Sequence, residues 1–203
     1  MVQTPVRSLT FEEFLEACPA DGKRYELIDG QIIELMATRE HDDIAEFLQL
    51  AMQVEKNRLK LNYRITTKAT VKTLRADGEI RGRTPDVSVV DKAIWDSEPK
   101  SYSAMDKALQ LAVEVVSPGN LHEDYLHKLA EYELKGIPEY WIVDHLAVGA
   151  SRYIGSPKQP TILIFTLVDG EYQVATYRGD DALISATFPE LRLTAAQVFN
   201  PDL

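Results

Sequence analysis

Three charged residues stand where charge is costly, and together they could hold a metal ion and act on a phosphate ester. Asp86 follows Pro85 at the start of "PDVSVVD", Glu114 interrupts the apolar run "QLAVEVVSPG", and Lys128 lies in "DYLHKLAEYELKGIP". Fully buried strands of an α/β sheet read as near-continuous Val, Ile and Leu, so the valines around Glu114 are ordinary and the carboxylate is not. An ionised carboxylate buried without a partner costs several kcal/mol or more. On a helix advancing about 100° per residue, Leu121, Tyr125, Lys128 and Tyr132 share one stripe with Leu129 alongside. Glu123, His127 and Glu131 then point away from it. Lys128 is thus set in the middle of an apolar face. Two acids and a base that all point inward are explained most simply if they meet.

Carboxylates on neighbouring strands can share a hard divalent cation. Mg²⁺ prefers oxygen ligands and usually keeps several waters while one or two carboxylates hold it. Such an ion can polarise a phosphodiester and generate hydroxide for in-line attack. A nearby lysine can position the water or neutralise charge building on phosphorus. The same residues can also form a buried Asp–Lys–Glu network without metal, and residue types alone leave both readings open. Asp124, four residues before Lys128, is placed to pair with it. His122, His127 and His145 lack the spacing of a zinc site, and Cys18, the one cysteine, gives no thiolate cluster.

The elements that must position these groups are legible in outline. "SLTFEEFLEA" carries Ser8 and Thr10 as N-cap candidates, then acids, then Phe11, Phe14 and Leu15 at helical spacing. "RYELIDGQIIELMA" reads as two strands joined at Asp29-Gly30, a favoured hairpin turn. From His41 to Leu59 a stripe of Ile44, Phe47, Leu48, Ala51 and Val54 predicts a helix. His41 falls on that stripe and faces inward, as a catalytic group or as a hydrogen-bonded core residue. "NYRITTKATVKTL", "PDVSVVD" and "LAVEVVS" are strands, with a turn at Asp77-Gly78. Loop, helix, Gly136 and the strand at 140–143 follow, which predicts a parallel, right-handed βαβ unit. Asp169-Gly170 joins two further alternating runs, and a short helix ends the chain. The reading is one α/β or α+β domain over 1–203: a mixed central sheet flanked by helices, with a C-terminal antiparallel extension.

Composition bounds the rest. The chain has 203 residues and a net charge of -10, which at first argues against a nucleic-acid partner. The charge is uneven. Residues 56–83 carry Lys56, Arg58, Lys60, Arg64, Lys68, Lys72, Arg75, Arg81 and Arg83 against Asp77 and Glu79, a local +7 that leaves -17 elsewhere. Such a segment can present a phosphate-binding surface, or simply a solvated face. No apolar stretch has the length of a membrane helix, "MVQTPVRSLTFEEF" lacks a signal-peptide core, and a single cysteine suits a reducing compartment. A cytoplasmic location away from membranes is expected.

"DGKRYELIDGQI", "TPDVSVVD" and "LAVEVVSPGN" followed by "DYLHKLAEYELKGIPEYWIVD" resemble the restriction-endonuclease domain family abundant in cyanobacteria, within the PD-(D/E)XK nuclease superfamily. The resemblance runs from about Phe11 to Leu193, and the order of the pieces is more specific than any one of them. It implies a restriction-endonuclease-like fold and Mg²⁺-dependent hydrolysis of DNA phosphodiester bonds, with Mn²⁺ as an alternative ion. Asp86 and Glu114 match the metal-binding acids, with the Val115 carbonyl as a further ligand. Glu26 matches an acid placed before the core that could complete the site. The superfamily's lysine would stand two residues after the second acid, where this chain has Val116. Lys128 could supply the ammonium from the following helix instead. A homodimer is expected, since nucleases that act on both strands often work as symmetric pairs. The alternative is a catalytically inactive nucleic-acid-binding or protein-interaction module on the same fold.

Overall fold

Alternating strands and capped helices account for most of the elements. The computed structural model describes residues 8–119 and 123–201, so the expectations for Leu121 and His122 lie outside the described residues. The strands are β1 (Tyr25–Ile28), β2 (Gln31–Glu34), β3 (Tyr63–Thr66), β4 (Thr70–Leu74), β5 (Ile80–Arg83), β6 (Val87–Asp91), β7 (Ala104–Met105), β8 (Leu111–Val115), β9 (Glu139–Asp144), β10 (Thr161–Val168) and β11 (Glu171–Tyr177). The helices are α1 (Phe11–Ala17), α2 (Arg39–Leu59), α3 (Lys92–Ser97), α4 (Leu129–Lys135), α5 (Ser151–Ile154) and α6 (Ala195–Phe199), with a π-helical turn at Glu123–Lys128 leading into α4.

Local chemistry explains the boundaries. The Thr10 side chain accepts from the Glu13 N–H while the Glu13 side chain accepts from the Thr10 N–H, a capping box that starts α1. Asp29-Gly30 and Asp169-Gly170 join β1–β2 and β10–β11 with positive φ at both residues (51° and 71°, 52° and 89°), as a tight hairpin of matching twist requires. Gly136, at φ 76°, closes α4.

Six strands in the order β11-β10-β9-β8-β6-β3 make the central sheet. β8 and β9 are parallel, as the predicted βαβ unit requires, and β10–β11 is the antiparallel extension. A second, five-stranded sheet in the order β2-β1-β5-β4-β7 stands where one mixed sheet was expected. The reason is burial. β8 and β9 are buried on both faces, whereas β2 and β4 have at most one apolar face to cover. Tyr25 and Leu27 put that face of β1 against Phe11 and Phe14 of α1. No helix among the described residues is long and apolar enough to cross a membrane.

The pleat then assigns each side chain of β8 to a face. Leu111, Val113 and Val115 join Trp141 and Val143 under Ile44, Leu48 and Met52 of α2. Ala112 and Val116 join Tyr125, Tyr132, Tyr140 and Ile142 on the opposite side, under α4. Glu114 lies between Ala112 and Val116 on that second face, and α4 packs there between the central sheet and β4. The π-helical turn changes one expectation. Glu131, placed on the solvated side by a uniform α-helical count, is buried at 1% exposure, because a wider turn precedes α4 and rotates it.

Candidate active site

Asp86 projects from the residue between Pro85 and β6. The pairing of β6 with β8 ends at Val87–Val113, and the next inward-facing amide of β8, that of Val115, donates instead to Asp86 Oδ2 at 2.7 Å. One carboxylate thereby ties the strand carrying the first acid to the strand carrying the second. His41 stands in the first turn of α2, whose N-cap Thr38 accepts from the His41 N–H. The ring turns inward, as its stripe predicts, and its Nε2 lies 3.1 Å from Asp86 Oδ2. The Arg24 guanidinium reaches Asp86 Oδ1 at 2.6 Å. Burial alone would raise the pKa of Asp86, but the His41 hydrogen bond and the nearby positive charges outweigh it and hold the carboxyl down at about 2. The same contact raises the His41 pKa against the effect of its burial.

Glu114 has its own set of donors. Lys128 Nζ donates to Oε2 at 2.8 Å and the Tyr132 hydroxyl donates to Oε1 at 2.7 Å. Lys128 also lies 3.2 Å from Asp124 Oδ1, the predicted local pair, and 3.6 Å from Glu26 Oε1. Burial, opposed by Lys128 but reinforced by the charges of Asp86, Asp124 and Glu26, pushes the Glu114 carboxyl up to about 8. Burial pushes Asp124 up to about 6 against the pull of the same lysine. Lys128 stays well above the usual lysine range, because its carboxylate neighbours outweigh the cost of burying it.

Glu26 arrives from the second sheet. With Tyr25 and Leu27 turned to α1, alternation turns Glu26 toward the central sheet. Its Oε1 accepts from the Thr84 N–H at 3.2 Å and its Oε2 from Arg83 Nη1 at 2.9 Å. Arg83 is wholly buried. It grips Glu131 with Nε and Nη2 at 2.8 and 2.7 Å and reaches Glu123 at 2.8 Å, while the Thr73 hydroxyl donates to Glu131 at 2.8 Å. β5 and β4 thereby hold the π-helical turn and α4 that carry Lys128.

Asp86, Glu114, Lys128, Glu26 and His41 therefore converge from five separate segments, and all are buried, with exposures of 1% to 6%. Val115 joins them through its amide. The basic segment is reorganised. Arg81 and Arg83 turn inside, Arg58 pairs with Glu55 and Glu190, Lys72 with Glu12, and Arg75 with Asp77 and Glu79. Five of the nine cations are thus committed to this chain's own acids. Lys56, Lys60, Arg64 and Lys68 have no ion pair with a carboxylate among the described residues. Sequence reasoning missed Arg24 and Arg83. For Arg83 a signal existed: Arg81 and Arg83 flank Gly82 on one face of a strand leading straight into Asp86.

The family model described as "Putative restriction endonuclease" (Uma2) matches residues 11–196. The chain belongs to that family. Among solved structures it is similar to a protein from Anabaena variabilis described as a putative nuclease belonging to DUF820, with a TM-score of 0.69 and 17% identity over 94% of this chain and 97% of that one. At that identity the likeness is one of fold, and it agrees with the nuclease-like architecture expected from the motifs. No curated protein matches the chain.

Val116, where the resemblance to the nuclease superfamily implies a lysine, needs a structural account. Its side chain is fully buried in the apolar cluster with Tyr125, Tyr132 and Tyr140. The ammonium beside the second acid comes from Lys128 instead. Among the described residues no group of three His, Cys, Asp or Glu side chains is arranged to hold a metal. The donor chemistry nevertheless suits a hard cation held by two carboxylates and water. Asp86 and Glu114 offer carboxylate oxygens from adjoining strands, the donor type a divalent ion takes.

Proposed function

We propose that this family member is a divalent-metal-dependent endonuclease that hydrolyses phosphodiester bonds in DNA. The observation that carries the reading is the junction of β6 and β8. There Asp86 is bonded to the Val115 amide, and Glu114, one residue before Val115, carries the Lys128 ammonium at 2.8 Å. Membership in a restriction-endonuclease-like family, whose members generally use divalent metals, supports it.

Asp86, Glu114 and the Val115 carbonyl would hold Mg²⁺ or Mn²⁺. When bound, such an ion supplies Lewis-acid polarisation of the phosphate and acidifies a water. The chain's own groups do the rest. Lys128 remains protonated among Glu114, Asp124 and Glu26, so it is a hydrogen-bond donor to the attacking water or to a phosphate oxygen rather than a base. His41 fixes the orientation of Asp86, and Glu26, 3.6 Å from the ammonium, helps to stabilise it. A homodimer, which would present two such sites to two strands, belongs to the same proposal and is read by light scattering.

A specific observation favours a second reading, a nucleic-acid-binding or protein-interaction module that cuts nothing. Every carboxylate oxygen of Asp86 and Glu114 already accepts from a group of this chain. The deciding experiment incubates supercoiled plasmid and single-stranded DNA with Mg²⁺ or Mn²⁺, using wild type, Asp86→Ala and Glu114→Ala. Metal-dependent cutting lost in both variants supports the nuclease. Cutting unaffected by either variant sinks the site, and DNA retention without metal-dependent cutting favours the module.

A further inference from the structure

A cleft of about 250 Å³ opens beside the acid cluster, between α1, the start of β1 and the segment before β7. Arg24 and Thr84 line it, and both touch the site: Arg24 through Asp86, Thr84 through Glu26. Lys68, in the turn between β3 and β4, lines it as well. This lysine is exposed and is one of the cations of the basic segment with no ion pair among the described residues. Tyr102, a residue 60% exposed, forms another wall. Arg24 adds an unspent donor. Its Nη1 is buried and has no hydrogen-bond partner among the described residues, although its other terminal nitrogen is committed to Asp86. A buried guanidinium nitrogen without an acceptor is costly, and a phosphate oxygen is the acceptor whose geometry and charge suit it.

We propose that this cleft is the subsite for one nucleotide of the strand to be cut, with its phosphate held by Arg24 and Lys68 and its base resting on Tyr102. The volume fits a single nucleotide rather than a duplex. An aromatic wall beside cations is the combination that binds extruded or single-stranded bases without reading their sequence. Tyr102 also borders a second hollow of about 640 Å³ lined by Trp95 and Met105, so a strand leaving the first cleft continues over a second aromatic surface. Arg64, another cation of the segment free of carboxylates, stacks over that Trp95 at 5.6 Å. Two of the four uncommitted cations of the basic segment, Lys68 and Arg64, thus lie along this track. The proposal rests on the nuclease reading and adds to it the form of substrate the site accepts.

The test uses Lys68→Ala, Tyr102→Ala and Tyr102→Phe, all at exposed side chains outside the acid cluster. A fluorescein-labelled single-stranded 12-mer is titrated with the full chain in Ca²⁺ over a series of salt concentrations. Lys68→Ala is expected to weaken binding and reduce the slope of log Kd against log[salt] by about 0.7 to 1, the signature of one lost phosphate contact. Tyr102→Ala is expected to weaken binding about 10-fold with the slope unchanged, and Tyr102→Phe to restore it. Variants that bind with wild-type affinity and slope overturn the subsite. The nuclease reading survives that outcome if Asp86→Ala still abolishes cutting in Mg²⁺. A wild type that neither binds the 12-mer nor cuts DNA in Mg²⁺ or Mn²⁺ overturns both.

Discussion

Arg83→Met isolates the buried charge that holds the site's supporting elements together. The wild-type guanidinium is fully buried and contacts Glu131 at 2.7 and 2.8 Å, Glu123 at 2.8 Å and Glu26 at 2.9 Å. Methionine fills much of the same space and removes the charge, so the loss is electrostatic rather than a cavity. Breaking a buried pair by removing one partner costs about 3–5 kcal/mol, because the other charge is left uncompensated. Two acids at 1% exposure are affected here. Each keeps weaker support: Glu131 has the Thr73 hydroxyl and Arg81 at 3.7 Å, and Glu26 has the Thr84 N–H and Lys128 at 3.6 Å. A net cost of about 4 kcal/mol follows, a large share of the roughly 5–15 kcal/mol that stabilises a typical fold. With a urea dependence of about 3 kcal/mol per molar, the unfolding midpoint falls by about 1.3 M. Urea titration followed by circular dichroism and by the fluorescence of buried Trp141 measures it. The double variant Arg83→Met with Glu131→Leu is expected to recover at least half of the loss, since an apolar pair can replace a buried ionic one at little cost. A midpoint shift below about 0.3 M for the single variant, or strictly additive effects in the double, would refute the view that Arg83 compensates buried acids.

Other outcomes follow from the same geometry. Glu114→Gln keeps hydrogen-bonding atoms for Lys128 and Tyr132 and replaces a carboxyl pushed up to about 8, so stability at pH 7 should change by less than about 1 kcal/mol while cutting of plasmid falls by about 100-fold or more. Thermal melts beside a cleavage assay check both halves, and a large loss of stability would mean that Glu114 is buried ionised. Val116→Lys adds a second ammonium at a fully buried position among tyrosines and aliphatic groups, and should cost more than about 3 kcal/mol in a urea titration. Gly30→Ala forces φ near 71° on an L-residue and brings a new Cβ to 2.4 Å from Ser8 Cβ. A loss of about 1–2 kcal/mol, or roughly 4 °C in Tm, is expected by scanning calorimetry.

What the residue order determined by itself was local. Asp-Gly pairs specify tight hairpins because few residue pairs accept positive φ twice, and both two-residue turns appear where the letters place them. Glu114 and Lys128 were conspicuous because each breaks an apolar pattern whose period needs no knowledge of the fold, and the two meet at 2.8 Å. His41 was readable as inward from the α2 stripe, but its partner Asp86 lies 45 residues further on and no local rule names it. Only the tertiary structure decided what became of the remaining charges. Arg81 and Arg83 sit in an alternating, polar-looking strand that resembles a solvated face until the π-helical turn and α4 bring Glu123 and Glu131 against it. Glu131 looks exposed on a regular helix and is buried because the turn before it is π-helical. A side chain's direction is set by backbone period, which neighbouring residues encode. Whether a charge can stay inside depends on a counter-charge arriving from elsewhere in the chain, and that is known only once the segments are brought together.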